Sequence, residues 1–174
     1  NFQQLRKQHL ANEQFRGNSD TEVIIRLYQK LGVQSFSLLQ GMYAFALYDA
    51  MQEKLYLVRD RLGKKPLYIS QGNSTLLFAS ELKALRKHPL CPTAYDQDAI
   101  TQYLCFEYIP APRTIYAGVQ KLLPGHFAEF DGDRFTLQPL DSEEINMSDS
   151  VVEQFSELFE SAVQNRLIGD VPVG

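Results

Sequence analysis

The chain has 174 residues, with 17 Lys and Arg against 21 Asp and Glu and a formal net charge of −4. Apolar residues make up 44% and charged residues 22%, a balance typical of folded globular proteins that excludes a chain disordered throughout. The negative charge and the lack of a long basic run argue against nucleic-acid binding. No apolar stretch approaches the roughly 20 residues of a membrane-spanning helix.

The first third of the chain shows helical periodicity. Residues 2–10 indicate a short polar helix. Ser19 followed by Glu22 predicts a capping box, in which two side chains satisfy free backbone N–H groups at the start of a helix. The apolar face of that helix continues to Gly32, a residue type that commonly ends helices. A second short helix is expected over 33–39.

The pattern then changes to short apolar runs. Residues 42–48 form a continuous run rich in aromatics, which predicts a strand covered on both faces. Residues 54–59 predict the second strand of an antiparallel hairpin. Runs at 67–69 and 76–79 extend this to four consecutive antiparallel strands. The Asp-Gly turn within 126–137 predicts a separate hairpin.

The remaining segments are mostly helical. Ser80 is the expected N-cap of a helix reaching Lys87. Another helix is predicted over 96–106, with Ile100, Tyr103 and Leu104 facing inward. Residues 141–148 are acidic and polar, which favours a linker. The strongest amphipathic helix of the chain covers 150–167.

Several chemistries are not supported by motifs. An N-terminal nucleophile needs Cys, Ser or Thr at residue 1, and Asn1 cannot serve. The chain contains no G-x-S-x-G, P-loop or dinucleotide fingerprint. Its two cysteines and three histidines lack the spacing of a zinc site, so no metal ligands are predicted. So few cysteines favour a reducing compartment, and we expect a cytoplasmic protein.

Two aspartates are candidates for specific roles. Asp20 lies in the first turn of a predicted helix, where its carboxylate could receive the α-ammonium group of an amino-acid ligand. The alternative is that Asp20 only complements the helix dipole. Asp60 stands between Arg59 and Arg61, and we expect a local ion pair that fixes the turn. Met42, among aromatic residues, is ordinarily a core residue, and Cys105 is expected to be a small buried hydrophobe.

Several strings in order resemble one family along the whole chain, the glutamine-hydrolysing asparagine synthetases. The strings are Ser-Asp-Thr-Glu-Val at 19–23, Leu-Gln-Gly-Met-Tyr-Ala-Phe-Ala-Leu-Tyr-Asp at 39–49, Arg-Asp-Arg-Leu-Gly-Lys-Lys-Pro-Leu-Tyr at 59–68, Phe-Ala-Ser-Glu-Leu-Lys-Ala-Leu at 78–85, Tyr-Ile-Pro-Ala-Pro-Arg-Thr-Ile at 108–115, Leu-Pro-Gly-His at 123–126 and Asp-Val-Pro-Val-Gly at 170–174.

The resemblance implies an α+β fold in two domains. Residues 1–140 would be the C-terminal part of a class II glutamine amidotransferase domain, a partial N-terminal-nucleophile αββα sandwich with antiparallel sheets. Residues 141–149 would be the linker. Residues 150–174 would begin the synthetase domain with the first helix of an α/β ATP-pyrophosphatase domain.

The resemblance also implies a ligase reaction of amino-acid biosynthesis. A cysteine thiolate hydrolyses glutamine, Mg-ATP activates aspartate as an adenylate, and ammonia crosses an internal tunnel to give asparagine. Glutamine, aspartate and ATP would be the substrates, with no nucleic acid or membrane partner, and a homodimer is one possible assembly.

Two residues match functional positions of that family. Asp20 matches the aspartate that receives the amino group of glutamine, and Met42 matches a residue of the tunnel wall. The cysteine nucleophile and the Ser-Gly-Gly-x-Asp-Ser nucleotide loop have no counterpart within 1–174. We therefore expect a chain truncated at both ends, without a catalytic residue of its own, without bound ATP or Mg, and inactive alone.

Two alternatives stay open. One is a related amidotransferase acting on another carboxylate, resembling β-lactam synthetase or an amidotransferase of surface-polysaccharide synthesis. The other is a non-catalytic, truncated interaction domain, although exposed sheet edges in such a piece would promote aggregation.

Overall fold

The computed structural model describes residues 1–72, 75–141, 151–164 and 167, with 151–153 described by their backbone only. The chain divides into two compact units, Phe2–Asp141 and Ser142–Gly174 with Asn1. The predicted linker over 141–148 lies outside the described residues apart from Asp141 itself.

The first unit contains helices and antiparallel strands, so the predicted α+β class is confirmed at that level. Its helical elements are α1 (Phe2–His9), α2 (Asp20–Leu31), a 3₁₀ helix (Gly32–Leu38), α3 (Leu82–Leu85) and α4 (Gln97–Phe106). Its strands are β1 (Ala44–Asp49), β2 (Lys54–Arg59), β3 (Tyr68–Gly72), β4 (Thr75–Ala79), β5 (Gln120–Lys121), β6 (His126–Phe130) and β7 (Phe135–Pro139).

The strands form two antiparallel sheets. The first has the order β1-β2-β6-β7 and the second the order β4-β3-β5. Both predicted hairpins, β1–β2 and β6–β7, are confirmed. The four predicted strands are all present and pair antiparallel as β1–β2 and β3–β4, but they divide between two sheets, because the chain leaves the first sheet after Arg59 and enters the second at Tyr68. The loop between them is held by bonds to distant residues, which local hydrophobic patterning does not reveal.

One face of the first sheet packs against α2 and the 3₁₀ helix. Phe36 is fully buried and its ring lies 5.7 Å from Tyr56 and 5.5 Å from Phe127, edge-on to both. Tyr28 stacks on Phe36 and donates its hydroxyl hydrogen to Asp49 at 2.7 Å. Burial of these rings stabilises the packing of the helices on this face.

The opposite face of the first sheet packs against the second sheet. Leu57 and Ala128 of the first sheet contact Ile69 of the second, and all three are buried. The far face of the second sheet packs against α3, where Leu85 meets Cys91 and residues of β3 and β4. The predicted burial of the 42–48 run on both faces is wrong, since Tyr48 at its end is 63% exposed.

The two helices after β4 differ from their predicted forms. Helix α3 is only four residues long and begins after Glu81, so Ser80 is not its N-cap. Asp96 caps α4 by accepting a hydrogen bond from the N–H of Ala99 at 3.1 Å. The predicted inward face of α4 is wrong for Tyr103 and Leu104, which are 54% and 77% exposed, whereas Ile100 is half-buried beside the buried Ala99.

The exposed apolar side of α4 continues into the chain that follows it. Phe106 and Tyr108 lie with their rings 6.3 Å apart and are both exposed. Cys105 is exposed on the same helix, which contradicts its predicted burial, whereas Cys91 is buried.

The second unit contains α5 (Val151–Gln164), so the helix predicted over 150–167 is confirmed within its described part. Phe155 and Phe159, one turn apart, stack at 6.0 Å. The string at 170–174 lies outside the described residues. Among the residues that the structure describes, no helix has both the length and the apolar character required to cross a membrane.

Candidate functional site

The start of α2 is built around Ser19, the residue before the helix. Its backbone is extended and its hydroxyl oxygen accepts a hydrogen bond from the N–H of Thr21 at 3.2 Å. Its carbonyl accepts the first helical bond, from Val23. The predicted N-cap is therefore confirmed, and it places Asp20 at the first position of the helix.

The second half of the predicted capping box is wrong. The Glu22 carboxylate does not accept a hydrogen bond from the N–H of Ser19. It accepts hydrogen bonds from the N–H groups of Arg16 and Gly17 instead, both at 3.0 Å. The bond from Arg16 is the main reason that the pKa of Glu22 is lowered. The link before the helix, which contains Arg16 and Gly17, supplies these donors in place of the cap residue. As a result Glu22 fixes that link against the first turn.

The Asp20 carboxylate is exposed, and the hydrogen bonds that it accepts from described residues involve only one of its two oxygens. Its Oδ1 accepts a hydrogen bond from the N–H of Thr21 at 2.7 Å and lies 3.4 Å from the hydroxyls of Ser19 and Thr21. Among the described residues no group donates to Oδ2. One oxygen thus supports the helix start, as the dipole alternative requires, while the other remains available to a cationic group.

Met42 lies two residues before the start of β1, and its side chain is 58% exposed. Its ordinary assignment to the core is therefore wrong. The next residue, Tyr43, packs inward and its carbonyl accepts a hydrogen bond from the N–H of Asp60 at 2.9 Å. No hydrogen bond or ring contact joins Asp20 to Met42 in the part of the chain that the structure describes. Asp20 begins α2, and Met42 follows the 3₁₀ helix at the other end of α2.

Asp60 directly follows β2, and its carboxylate is deeply buried. It is 1% exposed, and its two oxygens accept hydrogen bonds from the N–H groups of Lys64 and Lys65, both at 2.9 Å. The predicted ion pair with the flanking arginines is wrong. A buried carboxylate is stabilised by several aligned N–H donors, and here the loop itself supplies them.

The Arg59 side chain binds carbonyl groups of the same loop. It is 8% exposed and donates to the carbonyls of Lys65 and Gly63, both at 2.8 Å, and to that of Leu122. Burial lowers the pKa of Arg59. Since Leu122 precedes β6, the guanidinium joins both chain segments that cross between the sheets.

Sequence reasoning missed a cavity beside the link that leads to Asp20. It has a volume of about 680 Å³ and is lined by residues of α1 and of the segment up to Asn18. The Arg6 guanidinium lies 3.9 Å from the centre of the Phe15 ring and donates to Asn18 at 3.1 Å. Arginine and an aromatic residue nine positions apart give no local signal, so only the fold brings them together.

The described residues do not include a group of three or more His, Cys, Asp and Glu side chains that could hold a metal ion.

A comparison of the sequence with known protein families agrees with this antiparallel α+β fold. Residues 1–140 match the family model of the glutamine amidotransferase domain, and the chain belongs to that family. The predicted amidotransferase class is thereby confirmed.

Curated relatives make the comparison more specific. The chain is 33% identical to asparagine synthetase [glutamine-hydrolyzing] 3 of Bacillus subtilis, over 99% of this chain and 29% of the relative. It is 33% identical to a putative asparagine synthetase [glutamine-hydrolyzing] 2 of Methanocaldococcus jannaschii, over 90% of this chain and 32% of the relative. It is also 33% identical to amidase chyE of Penicillium rubens, over 96% of this chain and 26% of the relative.

These identities confirm that the chain is similar to glutamine-hydrolysing asparagine synthetases. The chain spans about a quarter to a third of the length of these relatives.

Proposed function

We propose that this chain is part of an ATP-dependent asparagine synthetase, a ligase that hydrolyses glutamine and transfers the ammonia to activated aspartate. The observation that carries the proposal is the amidotransferase match over residues 1–140, combined with identity of 33% to a glutamine-hydrolysing asparagine synthetase over 99% of the chain. In this proposal glutamine, aspartate and ATP are the substrates of the longer protein.

The layers of the first unit support a more specific fold. Helices α1 and α2 cover one sheet, the two sheets pack face to face, and α3 covers the second sheet. This order of layers supports the proposal of an αββα sandwich of the N-terminal-nucleophile type. We assign residues 1–140 to that domain, 141–149 to a linker and 150–174 to the start of the synthetase domain, with α5 as the first helix of its ATP-pyrophosphatase fold.

Asp20 is the residue of this chain proposed to hold glutamine. The α-ammonium of an amino acid carries three N–H donors and a positive charge. A carboxylate accepts charge-assisted hydrogen bonds from such a group, and these are stronger than hydrogen bonds between neutral partners. The exposed Oδ2 of Asp20 is available for such a bond, while Oδ1 and the Glu22 contacts keep the helix start in place. Orientation of the ammonium group would set where the side-chain amide of glutamine lies.

The chemistry that follows needs groups beyond Asp20. In the proposed reaction water replaces the amide nitrogen of glutamine, giving glutamate and ammonia, and ammonia then displaces AMP from activated aspartate. A cysteine nucleophile and the nucleotide-binding residues would come from other parts of the longer protein. Met42 would contribute an apolar thioether to the ammonia path, where exclusion of water keeps ammonia unprotonated and nucleophilic.

The test of Asp20 uses the full-length protein. We expect Asp20→Ala to raise the KM for glutamine about tenfold or more, since a charge-assisted hydrogen bond to substrate is lost. Synthesis from added ammonia should remain unchanged, because it bypasses glutamine binding. Asp133→Ala, at an exposed aspartate between β6 and β7, is the matched control. An unchanged KM in Asp20→Ala would remove this residue from the site.

A second candidate function has its own observation. The 33% identity to a protein named amidase chyE extends over 96% of this chain, so the amidotransferase unit alone does not define the acceptor. A related enzyme that amidates another carboxylate would carry the same first unit. Mass analysis of the products formed from glutamine, ATP and aspartate distinguishes the two, since only the first candidate makes asparagine.

We also propose a cytoplasmic location. Cys91 and Cys105 are both free thiols, one buried and one exposed, and a reducing compartment preserves that state. Separation of cell fractions followed by detection of the protein tests this directly.

A further inference from the structure

Arg61 holds together two segments that are far apart in sequence. Its Nη2 donates hydrogen bonds to the carbonyl of Ser37 at 3.0 Å and to the carbonyl of Asp141 at 2.7 Å. Ser37 belongs to the 3₁₀ helix, and Asp141 is the last residue of the first unit. One side chain on the loop after β2 therefore bridges the 3₁₀ helix and the end of the unit.

The end of the unit is held by two further bonds. The N–H of Asp141 donates to the hydroxyl oxygen of Ser37 at 3.0 Å. The N–H of the preceding residue, Leu140, donates to the carbonyl of Gly125 at 2.8 Å, and the Leu140 side chain is buried in the aromatic core. Arg61, Ser37 and Asp141 thus form a closed set of contacts, which we term the exit clamp.

The backbone beneath Arg61 is itself fixed. The carbonyl of Asp60 accepts from the N–H groups of Gly63 and Gly125, both at 2.9 Å. Gly125 has a φ of +66°, and a Cβ there would lie 3.5 Å from the Cα of Arg61. The hydrogen bonds to the carbonyl and the carboxylate of Asp60 therefore fix the loop backbone from which the Arg61 side chain extends.

The same loop holds the segment that carries Met42. The N–H of Asp60 donates to the carbonyl of Tyr43, one residue after Met42. The exit clamp is therefore connected, through two adjacent loop residues, both to the end of the unit and to the proposed wall of the ammonia path.

We propose that Arg61 is a positioning residue for ammonia transfer: by joining Ser37 and Asp141 it keeps the end of the amidotransferase unit fixed against the segment bearing Met42. This inference rests on the proposed function. Without the clamp, glutamine hydrolysis continues but part of the ammonia is lost to solvent before it reaches the acceptor.

The experiment compares glutamate released with asparagine formed in the full-length protein. Wild type should form about one asparagine per glutamate. We expect Arg61→Ala to raise the glutamate-to-asparagine ratio about threefold, as loss of hydrogen bonds of ordinary strength permits. Glutamine hydrolysis and synthesis from added ammonia should both stay at wild-type rates.

Three further variants sharpen the result. Ser37→Ala removes the bond from the Asp141 N–H without touching Arg61, and it should raise the ratio in the same direction by a smaller factor. Arg61→Lys, which retains a charged donor, should restore part of the coupling. Arg134→Ala, at an exposed arginine between β6 and β7, should leave the ratio unchanged.

The outcomes separate this inference from the proposed function. A wild-type ratio in both Arg61→Ala and Ser37→Ala overturns it, as does an equal fall of every activity with the ratio preserved. If Arg61→Ala does not fold, Ser37→Ala and Arg61→Lys decide by the same ratio. A wild-type protein that makes no asparagine from glutamine would instead contradict the proposed function.

Discussion

The start of α2 and the loop after β2 each carry an aspartate beside a change of chain direction, yet they use it differently. At Asp60 both carboxylate oxygens accept backbone N–H groups and the side chain is 1% exposed. At Asp20 one oxygen supports the helix start and the side chain faces solvent.

This difference separates a carboxylate that maintains the fold from one that keeps an oxygen available for the proposed bond to a ligand. Both oxygens of Asp60 accept hydrogen bonds from its own loop, and the side chain is buried where a substrate does not reach it. Asp20 keeps acceptor capacity because Glu22 takes over the task of fixing the neighbouring link. Substitutions at the two places should therefore have effects of very different size on stability.

The largest effect is expected from Asp60→Ala. The N–H groups of Lys64 and Lys65 would lose a charged acceptor, so we expect the free energy of unfolding to fall by about 3 kcal/mol. Urea denaturation of this chain measures the change. A loss below about 1 kcal/mol would mean that water replaces the carboxylate easily and that the loop is not buried as described.

Gly63→Ala should come next. Gly63 has a φ of +63°, and a Cβ would lie 2.8 Å from Cγ of Pro124 and 3.1 Å from the Arg59 guanidinium carbon. We expect a loss of about 2 kcal/mol from the strained backbone and the collision. Gly17→Ala is the control, since a Cβ there meets nothing within 4 Å. Equal stability of the two variants would contradict the close approach.

Glu22→Gln should have a smaller effect that depends on pH. Because the folded-state pKa of Glu22 is lowered, its ionised form stabilises the protein above its unfolded-state pKa of about 4.3. This stabilisation is lost as the pH falls through the folded-state pKa. The variant should therefore be less stable than wild type at neutral pH, and the difference should shrink in acid. Unfolding curves at several pH values test this, and a constant difference would count against the Arg16 and Gly17 bonds.

The smallest effect on stability is expected from Asp20→Ala. Its Oδ1 makes one short bond to the next residue, so we expect a change of under about 0.5 kcal/mol. Thermal unfolding beside Asp60→Ala gives the comparison directly. A change of more than about 1 kcal/mol would favour the reading of Asp20 as a purely structural helix-start residue.

Local patterns predicted the elements well. The strand over 54–59 matches β2 residue for residue, and the 126–137 hairpin matches β6 and β7, because alternation and an Asp-Gly turn are encoded locally. The helix ended by Gly32 was also predictable from its periodicity and its terminal glycine.

The errors share a different physical origin. Which sheet a strand joins depends on contacts such as that of Arg59 with Leu122, which lie 63 residues apart. Periodicity identifies α4 as a helix, but which side is buried depends on what packs against it. The contact between Arg61 and Asp141 spans 80 residues and has no local signature at all. The position of Asp20 at a helix start made it a candidate, but the resemblance was needed to favour ligand binding over the dipole alternative, since one aspartate at a helix start is not distinctive by itself.

The contrast between the two thiols offers a practical advantage. Cys105 is exposed on α4, whereas Cys91 is 5% exposed beneath α3. Maleimide reagents modify accessible thiols, so a single fluorophore can be attached at Cys105 without first removing a native cysteine. The dye would sit among exposed aromatic side chains of α4, and its emission would report changes in the polarity of that surface.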